Sequence, residues 1–484
     1  MNEASPDIAT LARASGFELD SGKRSVVCVQ GLGFVGSAMA LAVASARTKA
    51  GDPVFTVVGV DLPTERGRAV VDSLNDGVFP FQSEDPALDA ALETARGAGN
   101  FIATTDPAAY AFADVVVVDV NLDIEGTPDS PNVDFSAFRQ AIAQVGDAMR
   151  PGSLIVVETT VPPGTCATVV APLLRERLKA RGLPADAFLL AHSYERIMPG
   201  KDYFSSIVNY WRVYAGLTDA SADACRRFLS TVVNVDDYPL TRLPSTTASE
   251  TAKVLENSYR AVNIAFIEEW SRFAESVGVD LFEIVAAIRQ RPTHANIRQP
   301  GFGVGGYCLT KDPLFADFAA RELFGRRDLG FPFSRLAVEV NAAMPLQSLN
   351  LLKGLLGGDL AGKSILLMGV SYREGVADTR FAPSETFVRA ARKEGAQVAF
   401  HDPLVRHWRE MSSAVPAAVP DPDGFDAVVF AVAHREYGAL DVAAWLGSAR
   451  PAILDANGVL GPAQRAALGK IGVRMECIGR GTAP

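Results

Sequence analysis

The segment Pro300-Gly301-Phe302-Gly303-Val304-Gly305-Gly306-Tyr307-Cys308-Leu309-Thr310-Lys311-Asp312-Pro313 gathers residue types capable of covalent chemistry. Glycines at 301, 303, 305 and 306 precede Cys308. Glycine lets backbone come close to a ligand, and such a loop leaves a thiol exposed. A lone cysteine is more often an inert small hydrophobe, but such cysteines are not usually ringed by glycine. A nearby ammonium, Lys311 or Lys253, would raise the thiolate fraction of Cys308. Asp312 adds a carboxylate four residues on. Lys253 and Asn257, four apart in a helical pattern, share one face, with Glu250, Arg260 and Asn263 near that stripe. Such a pair is commonly just a solvated face. Here the small apolar surroundings predict burial, where a lysine can act as acid, base or oxyanion partner.

A second constellation is Gly31-Leu32-Gly33-Phe34-Val35-Gly36, a G-x-G-x-x-G between a predicted strand and a predicted helix. Its glycines permit a tight turn, close approach to a pyrophosphate and close helix packing. The helix N-terminus then offers N–H groups to an anion. Asp61 ends the next predicted strand, where an acid accepts ribose hydroxyls and disfavours NADP. NAD is therefore the expected cofactor, with Arg66 and Arg68 keeping NADP open. Glu158-Thr159-Thr160-Val161-Pro162-Pro163-Gly164-Thr165 follows another strand, at the sheet edge where ligands bind. Thr160 there either serves substrate or water, or makes only local turn bonds.

The elements that must position these groups follow from patterning. Ser25–Gln30, Phe55–Asp61, Asp114–Val120 and Leu154–Glu158 read as buried parallel strands, with a helix over Phe34–Arg47. Ala248–Val277 reads as one long helix, and Met344-Pro345 as the start of another. The strand grammar restarts with Ser364–Gly369, Gln397–His401, Ala427–Val432 and Ala452–Asp455. Residues 413–424 read as a surface loop. The expected plan is α/β: an N-terminal Rossmann-type domain, an all-helical centre and a C-terminal Rossmann-like domain. The expected divisions are an extension at 1–24, an NAD-binding domain at 25–215, a helical domain at 216–345, and a second α/β domain at 346–484.

The chain has 484 residues, too many for one core. Its net charge of −10 argues against nucleic acid or an anionic membrane as partner. No stretch of 18 apolar residues appears, so no membrane helix is expected. The N-terminal charges Asp7, Arg13, Glu18, Asp20, Lys23 and Arg24 argue against a signal peptide. The five scattered cysteines show no metal or disulfide spacing, which predicts a reducing, cytoplasmic setting and no metal.

The chain resembles the UDP-glucose/GDP-mannose dehydrogenases over about residues 25 to 460. The resemblance rests on GLGFVG at 31–36, ETTVPPGT at 158–165, SYERIMPG at 193–200 and SETAKVLENSYRAVNIA at 249–265. It continues with GFGVGGYCLTKDP at 301–313, NAAMP at 341–345, GVSYREGVADTR at 369–380, HDP at 401–403 and AHREY at 433–437. It implies two successive NAD-dependent oxidations of a sugar C6 alcohol, through a thiohemiacetal and thioester on Cys308. It gives Lys253 and Asn257 the developing charge on the C6 oxygen, Asp312 and Thr160 the water, and Glu195 acid–base steps. Cofactor contacts carry over to Gly31, Gly33, Phe34, Val35, Gly36, Asp61, Thr160 and Lys311. Substrate contacts carry over to Glu195, Arg196, Lys253, Asn257, Arg260, Arg298, Phe302, Gly303, Gly305, Tyr372, Arg373 and Arg380. Arg380 has a competing role as the ion-pair partner of Asp378. The family also implies pairing of two subunits through the long helix, hence a homodimer or higher homo-oligomer.

Several positions depart from the family pattern. Tyr194 stands where proline is usual, Thr310 replaces a common proline, and Pro383-Ser384 reads reversed. Val120–Pro131 lacks the usual proline-rich string. His294 stands where a partner's arginine is expected, with Arg298 or Arg291 as substitutes. Glu195-Arg196-Ile197-Met198-Pro199-Gly200 is more like the members acting on UDP-N-acetylhexosamines than like the UDP-glucose enzymes, while Tyr307 pulls weakly the other way. A hydroxyacid dehydrogenase would need neither Cys308 nor residues 363–460. A silent nucleotide-sugar-binding protein would not be expected to retain Cys308, Lys253, Asn257 and Asp312.

Overall fold

The computed structural model describes residues 24–197 and 200–481. Most of the expected N-terminal extension, and Met198 and Pro199 of the ERIMPG segment, lie outside these. The described residues pack as two compact units. One is built from residues up to Leu255 with Phe315–Gly330, the other from Glu256–Leu314 with Phe331 onward.

The first unit is organised by β1 (Ser25–Gln30), β2 (Phe55–Val60), β3 (Phe101–Thr104), β4 (Val115–Val118), β5 (Leu154–Val157), β6 (Leu189–His192), β7 (Val213–Gly216) and β8 (Thr241–Arg242). They form one sheet in the order β8-β7-β6-β5-β4-β1-β2-β3. All pairings are parallel except β6 with β7. Valine-rich strands such as Val115–Val118 are wholly buried, as expected where both faces are covered. Because β1 lies between β2 and β4, the strand order reverses there, and the crevice beyond the strand ends is where such sheets bind ligands. Helix α1 (Phe34–Ala44) leaves that point and buries its small residues. Residues 120–131 contribute to a hairpin, Asp123–Thr127 with Ser130–Asp134, that the sequence did not announce.

Between Arg242 and Ser364 the chain has no strand. Helix α2 (Thr246–Val277) runs for 32 residues. Ser245 caps it, accepting from the Ala248 N–H at 3.1 Å, and Gly278 ends it at φ +78°. Helix α3 (Pro332–Leu355) corrects one expectation: Pro345 lies inside it, and the helix starts at Pro332. Proline's φ is helical, so its interior cost is one lost hydrogen bond and a local clash. Burial of Met344, Pro345, Leu349 and Leu352 offsets this.

The second unit's sheet comprises β9 (Ser364–Met368), β10 (Gln397–His401), β11 (Ala427–Phe430), β12 (Ala452–Asp455) and β13 (Met475–Cys477), parallel in the order β10-β9-β11-β12-β13. Strand order reverses at β9, so the loop from Gly369 onward occupies this unit's ligand edge. Residues 413–424 are loop apart from the two-residue strand Ser413–Ala414. Among the described residues no helix is long and apolar enough to cross a membrane.

Candidate active site

The first unit presents the dinucleotide turn. Gly31 has φ +88° and hangs from the Val60 carbonyl by its N–H at 2.9 Å. A Cβ on Gly36 would meet the Gly31 carbonyl oxygen at 1.8 Å, so only glycine lets α1 approach the turn. Around Gly33 there is open space where a Cβ would point, and α1 starts without a side-chain cap. That is the cradle a pyrophosphate requires. The Asp61 carboxylate accepts from the N–H groups of Leu32 at 3.1 Å and Leu62 at 2.7 Å, which fixes it at the ribose side of the turn. The residues therefore fit NAD. Phe34 stacks on Phe81 at 4.3 Å, and Val35 is half-buried. Arg66 and Arg68 are exposed, and Arg68 donates to the Pro63 carbonyl at 2.6 Å.

Beyond β4 and β5, Asp119 and Glu158 are buried, and Glu158 pairs with buried Arg212. Burial, and then Glu158 facing it, pushes the Asp119 carboxyl well above its ordinary range. Thr160 is half-buried just after β5. Its loop is clamped by Glu250 of α2, which accepts from the N–H groups of Gly164 at 2.5 Å and Cys166 at 2.7 Å. Glu250 thus holds the loop from inside. Lys253, 7% exposed, donates to the Glu195 carbonyl oxygen at 2.8 Å and lies 3.5 Å from Glu195 Oε1. Arg196 donates to the Tyr194 hydroxyl at 3.1 Å. The Tyr194 ring lies 5.3 Å from both Lys253 and Arg196, so the departure at 194 supplies an aromatic bed for two cations. His192, which sequence reasoning missed, bonds Ser249 at 2.8 Å. Burial, then Lys253, depress it to about 3.

The second unit presents the thiol. Cys308 is exposed, whereas Cys28, Cys166, Cys225 and Cys477 are buried. One tight turn closes behind it, with the Asp312 N–H on the Cys308 carbonyl at 2.9 Å. Asp312, 1% exposed, accepts from Asn257 Nδ2 and from Lys311 Nζ, each at 2.8 Å. Lys311 Nζ also lies 4.4 Å from the Tyr307 ring centroid. Lys253 and Asn257 are one turn apart on α2, as their spacing predicts. A Cβ on Gly305 would meet the Phe381 carbonyl oxygen and Tyr372 Cβ, both at 2.7 Å, so this glycine is where two loops interlock. Pro383 lies 2.8 Å from where a Gly303 Cβ would be.

Not every expected substrate residue faces out. Phe302 is 3% exposed and packs on Phe387 at 5.6 Å, so its side chain is core and only its backbone is left for a ligand. Arg380 does pair with Asp378, at 2.7–3.1 Å. Tyr372 is pushed up to about 12, by burial first and then by Asp378, and Arg373 reaches Glu374 at 3.4 Å. Arg298 is half-buried; burial, then Arg260 and Arg289, push its pKa down, which marks a clustered cationic patch. Arg291 and His294 are exposed. Asp402 anchors the loop after β9. Burial opposes its charge, but His434 and the N–H groups of Val370 and Leu404 outweigh it and hold the carboxyl at about 2.

Three family models cover the chain in order. They are the NAD binding domain of the UDP-glucose/GDP-mannose dehydrogenase family at residues 25–231, its central domain at 247–343 and its UDP binding domain at 366–462. A UDP-N-acetyl-D-mannosamine dehydrogenase of Pyrococcus horikoshii is 30% identical, over 85% of this chain and 90% of that protein. One from Methanocaldococcus jannaschii is 29% identical, over 87% and 88%. Among solved structures, an NDP-N-acetyl-D-galactosaminuronic acid dehydrogenase from Methanosarcina mazei Go1 shares 28% identity at a TM-score of 0.77, covering 96% of each chain. The UDP-D-ManNAc dehydrogenase of Pyrococcus horikoshii gives 28% and 0.79, covering 94% of this chain and 99% of that one. With cofactor turn, helical centre and UDP-binding sheet all present, the chain belongs to the UDP-glucose/GDP-mannose dehydrogenase family and is an NAD-dependent oxidoreductase of UDP-sugars.

Proposed function

We propose that the protein oxidises the C6 alcohol of a UDP-N-acetylhexosamine to the carboxylate, in two oxidations linked by a thioester on Cys308. The observation that carries this is the exposed thiol backed by a buried Asn257–Asp312–Lys311 network. NAD bound at the Gly31–Gly36 turn supplies the hydride acceptor for each oxidation. Protein side chains do the rest. As hydride leaves C6, the hydroxyl proton passes to water, whose handling the family resemblance gives to Thr160 and to Asp312. Lys253 and the second amide N–H of Asn257 stabilise charge on the C6 oxygen. The Cys308 thiolate adds to the resulting aldehyde, and the oxygen takes a proton, Glu195 assisting. Loss of a second hydride and that proton gives the thioester. Asp312 then takes a proton from water, which attacks the acyl carbon. The C–S bond breaks and the thiolate returns.

The sugar is read from the ERIMPG segment and from relatives named for N-acetyl sugars. In a panel of UDP-glucose, UDP-GlcNAc, UDP-ManNAc, UDP-galactose and GDP-mannose, an N-acetylated UDP-sugar should yield the fastest NADH formation, with two NADH per sugar. UDP-glucose as the best substrate would overturn the sugar. One NADH with free aldehyde would overturn the double oxidation. Cys308→Ser should stall at or after the first oxidation, since an oxygen adduct cannot become a thioester. Undiminished turnover would remove Cys308 from the mechanism.

A further inference from the structure

Phe381 combines two costs that a protein does not carry idly. Its backbone has φ +53°, in the left-handed region that glycine and asparagine enter easily and a bulky residue does not. The residue is 53% exposed, and among the described residues it is the one large hydrophobic left exposed within the UDP-binding span 366–462. The surroundings enforce this conformation. The Gly306 N–H holds the Arg380 carbonyl at 3.2 Å, the Ala382 N–H closes a turn on the Thr379 carbonyl at 3.2 Å, and Pro383 opens the next helix. The ring is thereby presented beside Tyr307, at 6.0 Å and 53°, next in sequence to Cys308. Arg380 lies 5.7 Å from that Tyr307 ring. Phe381 also walls a cavity of about 320 Å³ with Val304, Leu309 and Thr310 of the cysteine loop.

An exposed aromatic face next in sequence to Arg380, on a cavity whose one charged lining residue is Glu385, suits the planar end of a ligand. In a UDP-binding span, the planar end is uracil. We propose that Phe381 is the stacking platform for the uracil base, and so a specificity-determining residue for the nucleotide half of the substrate. This rests on the UDP-sugar reading above. Stacking on an aromatic ring commonly changes affinity by roughly tenfold when the ring is removed.

The test compares wild type with Phe381→Leu, Phe381→Tyr and Phe381→Gly. UDP and inorganic diphosphate binding are measured by calorimetry, and steady-state constants with the best UDP-sugar. Phe381→Leu keeps apolar bulk but lacks a π-face. It should weaken UDP roughly tenfold, raise KM similarly and leave kcat and diphosphate binding unchanged. Phe381→Tyr should restore UDP affinity. Phe381→Gly should lose UDP affinity yet melt at or above Phe381→Leu, because it relieves the left-handed backbone. Leucine matching wild type for UDP, or equal losses for UDP and diphosphate, would overturn the platform. If wild type binds UDP but oxidises no UDP-sugar, the functional reading falls instead.

Discussion

Asp312 is the residue whose position constrains the chemistry most. Nearly inaccessible, its carboxylate takes one hydrogen bond from the Asn257 amide and one from the Lys311 ammonium. Lys311, expected from sequence to bias the thiol or hold cofactor, lies buried against Asp312 and the Tyr307 ring. In the proposed mechanism the role of Asp312 as base falls in the last, hydrolytic step, and its two donors fix where the carboxylate points. Asp312→Asn, nearly isosteric, should leave the two oxidations largely intact and slow thioester hydrolysis by about 10²–10⁴-fold. Stopped-flow NADH traces should then show a burst of up to two NADH per site followed by a slow phase. A slow first NADH with no burst would show that the charge of Asp312, and not only its hold on water, is needed already in the first oxidation.

At the scale of elements, α2 ties function to stability. Glu250, three residues before Lys253, gives two buried N–H groups of the 158–165 loop region their acceptors. Glu250→Ala orphans both donors and should cost roughly 2–4 kcal/mol in denaturant unfolding, with Glu250→Gln costing less. An unchanged midpoint would show that the loop is held by other means. Glu250 was visible only as part of a polar stripe, because its partners lie about 85 residues away and no local pattern encodes such a distance. For the same reason His192 and Arg212 escaped notice. The β-branched strands β1, β2, β4 and β5 were legible from composition, as was α2 from its length and lack of Gly or Pro. Strands β3, β6 and β7 were not. Each has four residues, as β4 and β5 do, but FIAT, LLAH and VYAG lack the β-branched run that marks VVVV and LIVV, and four residues are too few for periodicity to make up for it. Pro345 misled because proline at a helix start and proline tolerated inside one look alike until packing is known.

At the scale of the molecule, acidity and oligomerisation are linked to buried and exposed groups. His192 is held neutral, its pKa down at about 3, so the unfolded chain binds a proton there below about 6.5 that the native chain refuses. Its contribution is therefore complete above that value and is lost as pH falls. Between neutral pH and about pH 5 this single group should cost roughly 2 kcal/mol. His192→Gln should flatten that part of the urea-midpoint profile; an unaltered slope would refute the assignment. Along α2, Leu255, Tyr259, Phe266, Trp270, Phe273 and Val277 are exposed at 46–66%, an apolar stripe that a monomer would leave wet. Light scattering should report a dimer or larger, and Trp270→Glu with Phe273→Glu should yield monomer. A wild-type monomer at micromolar concentration would contradict this. The contrast among the cysteines has a practical corollary. Burial pushes Cys28, Cys166, Cys225 and Cys477 up, the latter two to about 12, which leaves a single nucleophile open to electrophiles. A maleimide or iodoacetamide reporter should thus mark the native chain once per subunit without engineering, and shielding of that mark by added sugar nucleotide would gauge occupancy directly.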